Sequence, residues 1–87
     1  MKTYAQFFQL STGYIPGTIP PQFGERKPIE ATGDRGLIQI DGRLSLNSMH
    51  EIAESECNKR GYFGWMLLRG NALRDAKPLH APILSQR

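Results

Sequence analysis

The sequence has few of the residues from which proteins build disulfides and metal sites. Among its 87 residues there is one cysteine, Cys57, and there are two histidines, His50 and His80. A lone cysteine excludes an internal disulfide and a zinc site made of several cysteines, and is typical of proteins kept in a reducing compartment. With so few suitable ligands, we expect neither a metal nor another cofactor.

Long apolar runs are also missing. No segment approaches the roughly eighteen apolar residues that a membrane-spanning helix needs, and the opening Met1-Lys2-Thr3 leads into no apolar core of a signal peptide. We therefore expect a soluble, cytoplasmic protein without a membrane partner. The length predicts a single domain over residues 1–87, because half of it would bury too small a core without disulfides or metal.

Charge is unevenly distributed along the chain. Residues 1–58 contain five basic and seven acidic side chains, a net charge of −2, whereas residues 59–87 contain six basic side chains and one acidic one, a net charge of +5. The carboxyl-terminal third is therefore the basic part of the protein, and residues 71–87 are predicted to form a basic, partly extended tail in which prolines interrupt strand pairing.

The amino-terminal half reads as strands around a long loop. The segment "TYAQFFQLS" at 3–11 is rich in aromatic and apolar residues and predicts a strand. Prolines and glycines then crowd residues 12–27, which predicts a long loop, and "PIEAT" at 28–32 predicts a short edge strand. The pair Asp41-Gly42 lies between two apolar runs, 37–40 and 43–46, and predicts a β-hairpin with a two-residue turn.

A helix is predicted after that hairpin. The motif "SMHE" has the form of a capping box at Ser48 and Glu51, so we expect the helix to run from about Met49 to Arg60 and to end at Gly61. Its apolar face would consist of Met49, Ile52, Ala53 and Cys57.

A central strand and the tail complete the predicted fold. The apolar "YFGWMLLRG" at 62–70 predicts the central strand, placed beside the first strand or the hairpin. The expected fold is α+β, with an antiparallel sheet of three to five strands and one principal helix packed on one face.

Several side chains suggest chemistry, each with a structural alternative. His50, Glu54 and Cys57 would share one stripe of the helix, as zinc ligands or as a nucleophile with its base, or Cys57 would simply be a small core residue. Glu56 would be a buried acid or base, or would pair with Arg60 four residues on. No phosphate-binding loop motif is present. We expect a protein that is not an enzyme.

Two regions are candidates for partner binding. The loop carries apolar residues beside Arg26 and Lys27, so it either packs across the sheet or presents its tip to a partner. We expect packing for part of the loop and contact at its tip. The basic third adds arginines and a lysine of the kind that anchor interfaces. The predicted contact residues are Tyr14, Ile15, Phe23, Arg26, Lys27, Arg69, Arg74 and Lys77.

In size, charge distribution and lack of catalytic motifs, the chain resembles the small accessory proteins with which bacteriophages inhibit host machinery, anti-CRISPR proteins among them. The resemblance implies a non-enzymatic inhibitor that blocks a protein or nucleoprotein complex by occupying its surface. The alternative is a nucleic-acid-binding domain that uses the basic tail and an open sheet face, on which Phe63 and Trp65 would stack bases. A homodimer is left open by the sequence.

Overall fold

The computed structural model describes residues 1–11 and 13–84, and two long antiparallel strands form its centre. Strand β1 (Lys2–Leu10) pairs with strand β6 (Gly64–Gly70) from one end to the other, with Ala5 opposite Leu67. The predictions of a first strand and of an apolar central strand beside it are confirmed. Aromatic and aliphatic residues fill both strands, as expected for strands with neighbours on each edge.

Each outer edge of this pair is built from two short strands instead of one long one. Along β1, strand β4 (Pro28–Glu30) pairs with residues 8–10 and strand β5 (Leu37–Ile40) with residues 3–6. Along β6, strand β7 (Lys77–Pro78) pairs with residues 68–69 and strand β8 (Ile83–Leu84) with residues 64–65. The sheet therefore contains six strands, more than the three to five expected, and the α+β class is confirmed.

The predicted loop contains a small sheet of its own. Strands β2 (Tyr14–Ile15) and β3 (Gln22–Phe23) form an antiparallel pair separate from the main sheet. Residues 13–24 are here called the arm. The molecule as a whole is elongated, with dimensions of 53 × 26 × 21 Å. Thr12, which belongs to the predicted loop, lies outside the described residues.

One helix packs on the sheet. Helix α1 (Leu46–Arg60) ends at Gly61, whose backbone is left-handed at φ 74°, a conformation that favours glycine. Met49, Ala53 and Cys57 are buried against β1 and β6. Ile52 was expected on this apolar face but is exposed, because the buried residues of the helix form a single row with a spacing of four residues.

The prediction of a β-hairpin at Asp41-Gly42 is wrong for its second strand, residues 43–46. Leu37–Ile40 is a strand, but it pairs with β1, and residues 43–45 turn directly into the helix. The carboxylate of Asp41 accepts the backbone N–H of Arg43 at 3.0 Å, which closes a tight turn. Ser45 then caps the helix by accepting the N–H of Ser48 at 3.2 Å, so the predicted cap at Ser48 lies three residues too late.

The second face of the sheet is less open than the sequence suggested. Side chains along β1 and β6 alternate between the two faces of the sheet, and those of Ala5 and Leu67 point toward α1. Tyr4, Phe8 and Met66 point to the other face and are buried as well. The side-chain amide of Gln6, on this same face, lies 3.0 Å from the carbonyl oxygens of Ala31 and Gly36 and holds the link between β4 and β5. The centre of this face is therefore closed.

The tail is more regular than predicted. A short 3₁₀ turn forms at Leu73–Asp75, and Pro78, expected to interrupt strand pairing, takes part in a strand. Proline is tolerated there because β7 is an edge strand, which needs no donor on its outer side. Residues 85–87 of the predicted tail lie outside the described residues. No helix in residues 1–11 or 13–84 is both long and apolar enough to cross a membrane.

Candidate functional site

The arm continues the pairing of β1 with β4. The N–H of Ser11 donates to the carbonyl of Lys27 at 2.9 Å, and the N–H of Gly24 donates to the carbonyl of Gly13. At the tip, the hydroxyl of Thr18 donates to the carbonyl of Ile15 at 2.9 Å and accepts the N–H of Gln22 at 3.1 Å. These bonds give the proline-rich segment a defined shape although it has only two residues in each strand.

Apolar side chains of the arm face solvent. Ile19 is 98% exposed, Phe23 74% and Tyr14 50%, and Ile15 is also exposed. The rings of Tyr14 and Phe23 lie edge to face with centroids 6.5 Å apart. The expected packing of part of this loop across the sheet is not found, since none of residues 13–27 is buried and none belongs to the core cluster. Exposed apolar residues grouped in this way are typical of interaction surfaces.

Two basic residues lie at the base of the arm. The stem of Arg26 lies over Gly13, where a Cβ atom would come within 2.9 Å of the arginine Cγ. Gly13 also has φ 72°, so this position favours glycine for two reasons. Neither Arg26 nor Lys27 forms an ion pair with any other residue in the described part of the chain. The five predicted loop residues are thus brought together.

The three predicted residues of the basic third form a second group. Arg69 and Lys77 are directly opposite each other in the pairing of β6 with β7, and Arg74 lies in the 3₁₀ turn between them. Arg69 is half-buried because its guanidinium lies 3.4 Å from the hydroxyl of Thr3 and 4.0 Å from the sulfur of Met49. Arg74 is exposed and pairs loosely with Asp75 at 3.8 Å.

The structure separates these two groups. Arg69 is opposite Thr3 at the start of β1, whereas the arm begins beyond Leu10 at its end. Seven residues of extended strand place the groups roughly 23 Å apart. One small pocket of a partner therefore cannot contact both groups, and each must be tested by itself.

The residues considered for chemistry have structural roles. The thiol of Cys57 is buried and donates to the carbonyl of Tyr62 at 3.4 Å, and burial, with a contribution from the negative charge of Glu54, raises its pKa. A raised pKa makes a thiol a poorer nucleophile at neutral pH. Among residues 1–11 and 13–84, no group of three or more His, Cys, Asp and Glu side chains is placed to hold a metal ion. Glu56 pairs with Arg60 at 3.2 Å, as its structural alternative predicted.

The aromatic residues considered for base stacking are not free on a surface. Trp65 points to the helix side of the sheet and packs against the core cluster, and Phe63 is half-buried. The indole N–H of Trp65 is buried and has no hydrogen-bond partner in the described part of the chain. A buried donor without a partner is uncommon in proteins.

Trp65 lines a cleft that the sequence did not predict. A cavity of about 340 Å³ lies between the end of α1, the start of β6 and strand β8. Its walls are the aromatic residues Tyr62, Phe63 and Trp65 and the aliphatic residues Ile83 and Leu84, with Glu54, Cys57 and Asn58 at the helix side. The cleft depends on the pairing of β8 with β6, which joins the tail to the central strand. The only indication of this pairing in the sequence is the presence of two apolar residues after Pro82.

His80 is a second feature that the sequence did not reveal. Its Nε2 accepts the N–H of Leu67 at 3.2 Å, and its Nδ1 lies 2.7 Å from the carbonyl of Ala81. An imidazole that accepts at Nε2 carries its hydrogen on Nδ1, and in this way the ring bridges the gap between β7 and β8. It also lies against the ring of His50 on α1, with centroids 4.8 Å apart.

Comparison with known proteins identifies no relative. No protein-family model matches the chain, and neither the curated proteins nor the solved structures gave a match.

Proposed function

We propose that this protein is a non-enzymatic binding protein that acts by occupying a surface of another protein or nucleoprotein complex, and that the arm is its contact. The supporting observation is the exposure of Ile19, Phe23 and Tyr14 on a segment that the core does not use. A hairpin that only linked β1 to β4 would need neither aromatic residues nor this length, since hairpin connections are usually two to five residues.

The arm has the composition of an interface centre with a charged border. Interfaces are enriched in aromatic and arginine side chains, which provide large contact area with few rotatable bonds. Tyr14 and Phe23 are preorganised by the ladder between them, and prolines stiffen the tip, so little conformational entropy is lost on binding. Inhibition by steric blockade, as in the bacteriophage proteins that the chain resembles, is the mode of action that we propose.

The proposal includes a cytoplasmic site of action and no catalytic step. Cys57 is a buried free thiol, which is stable in a reducing compartment. The pKa of Cys57 is raised, whereas an activated nucleophile has a lowered one.

The nucleic-acid alternative has one supporting observation, the adjacency of Arg69 and Lys77 across β6 and β7. Against it, Trp65 packs against the core cluster and Tyr4, Phe8 and Met66 close the centre of the second sheet face. Neither surface then offers a row of free aromatic rings on which bases could stack.

The test is affinity capture from a bacterial lysate with three forms of the tagged protein, each with and without nuclease. The forms are the wild type, the double arm variant Ile19→Ser with Phe23→Ser, and the double patch variant Arg74→Ala with Lys77→Ala. All four substituted side chains are exposed, so folding should be unchanged, as circular dichroism would check. Arg69 is avoided because it packs on Thr3 and Met49.

We expect one stoichiometric protein partner that survives nuclease, with capture weakened roughly tenfold or more by the arm variant and little changed by the patch variant. Capture that disappears with nuclease and fails only in the patch variant would contradict the proposal and favour nucleic acid, whose phosphates bind basic side chains.

A further inference from the structure

The cleft beside Trp65 and the arm lie at the same end of the molecule. Gly64, at the start of β6, is opposite Phe8, only two residues before β1 ends and the arm begins. Phe63, which lines the cleft, donates its N–H to the carbonyl of Phe8 at 2.8 Å. An apolar projection therefore lies at the same end of the molecule as a cleft with aromatic and aliphatic walls and a polar helix side.

The arm cannot fill the cleft of its own chain. Its ladder continues directly from Leu10 opposite Pro28 through Ser11 and Lys27, and no residue of the arm lines the cleft. From Leu10 to the tip the arm extends by roughly 25 Å. A second copy, approaching end to end, meets the arm with its own cleft.

The charges of the two surfaces are complementary. Arg26 and Lys27 lie at the base of the arm, and Glu54 lies at the helix side of the cleft. None of the three forms an ion pair with another residue in the part of the chain that the structure describes. Opposite charges at the border of a contact fix its register and favour the correct partner.

We propose that two copies of this chain dock reciprocally about a twofold axis, each placing Phe23 and its neighbours on the arm in the cleft of the other. This inference rests on the proposed function, because it uses the same arm as the contact. A cleft of about 340 Å³ accommodates one aromatic ring with part of a neighbouring side chain. Reciprocal docking closes the assembly, so it gives a dimer and not a filament.

The contact area favours reciprocal docking over a single insertion. An aromatic ring buries about 200 Å², so one ring in one cleft buries about 400 Å² when both surfaces are counted. Two reciprocal contacts double this to about 800 Å², which lies in the range of weak, transient association, so the dimer should depend on protein concentration.

Association is tested by sedimentation from micromolar to submillimolar protein, together with the fluorescence of Trp65, the single tryptophan of the chain. We expect a concentration-dependent dimer and a parallel shift of the emission, because Trp65 lines the cleft. Phe23→Ser should raise the dissociation constant at least about tenfold and abolish the shift. Leu73→Ser, an exposed apolar residue near the other end of β6, is the matched control and should change neither.

A charge exchange tests the register. Arg26→Glu and Glu54→Arg should each weaken the dimer several-fold, and the double variant should recover most of the affinity, since the pair is restored with its signs reversed. A wild type that stays monomeric, a dimer that Phe23→Ser leaves unchanged, or a double variant no better than the single ones would each overturn the proposal.

Failure of this inference is distinguishable from failure of the proposed function. Glu54→Arg alters the cleft and not the arm, so it should weaken the dimer several-fold while partner capture by the freed arm persists or increases. A monomeric wild type whose partner capture still fails in the Ile19→Ser, Phe23→Ser variant would overturn the dimer and leave the proposed function intact.

Discussion

At the scale of single residues, burial decides what a reactive side chain does. The sequence places Cys57 on one helical stripe with His50 and Glu54. In the structure its thiol lies in the core and donates a hydrogen bond to the carbonyl of Tyr62, while His50 lies against His80. Helical periodicity predicts a common stripe but not the depth of each side chain, and depth sets the chemistry. Cys57 is therefore a core residue.

We predict that Cys57 is unreactive in the native protein. A thiol-specific reagent such as Ellman's reagent should modify it at least about tenfold more slowly in buffer than in denaturant, because the thiol is buried and its raised pKa keeps it protonated. Equal rates in the two conditions would show that the thiol is accessible.

The same pKa shift gives a pH dependence with a defined sign. The folded protein holds the thiol proton more tightly than the unfolded chain, so the stabilisation is fully present below the unfolded pKa of about 8.5 and is lost as pH rises through the folded pKa. Denaturant unfolding at pH 7 and above pH 9 should show a larger loss of stability for the wild type than for Cys57→Ala.

At the scale of elements, side-chain hydrogen bonds replace missing backbone pairing. Strand β6 is paired at one end with β7 and at the other with β8, and between them the N–H of Leu67 donates to the ring of His80. The N–H of Leu79 donates to the carbonyl of Leu67 at 2.9 Å, so both backbone groups of Leu67 are used. The ring completes an edge that Pro78 and Pro82 would otherwise interrupt.

We predict that His80→Ala weakens the attachment of the tail. The N–H of Leu67 would lose its acceptor, at a cost of about 1 kcal/mol, and hydrogen exchange at Leu67 should become faster by several-fold. His50→Ala removes the stacked ring but not the acceptor and is the matched control. Unchanged exchange at Leu67 in His80→Ala would show that the ring does not hold the edge.

At the scale of the whole molecule, the arm contributes no residue to the core cluster of the body. The core cluster consists of residues from β1, β5, α1, β6 and Ala31, and includes none from the arm. Burial of apolar surface is the main source of stability, so exposed residues on the arm contribute little to it. The small contribution of this long apolar hairpin to the core is consistent with the binding role proposed for it.

We predict that the body folds without the arm. Replacing residues 14–23 with a short glycine-containing turn should change the midpoint of thermal unfolding by only a few degrees, whereas Phe7→Ala in the core should cost about 3–5 kcal/mol. Loss of cooperative unfolding in the shortened protein would show that the arm is part of the folding unit.

The sequence by itself determined the features that depend on neighbouring residues. The aromatic strand at residues 2–10, the end of the helix at Gly61 and the pair Glu56 with Arg60 follow from periodicity, capping and spacing over four residues. The uneven charge distribution and the proline content of the arm can likewise be read from the sequence without knowledge of the fold.

Only the tertiary structure decided the features that join distant segments. Asp41-Gly42 has strong local preference for a hairpin, but β5 gains more by pairing with β1, and Ser45 starts the helix at once. The cleft requires Ile83 and Leu84 to lie beside Trp65, and the separation of Arg69 from the arm requires the length of β1 between them. These outcomes depend on long-range pairing, whose free energy is shared by residues far apart in the chain, so no local pattern encodes them.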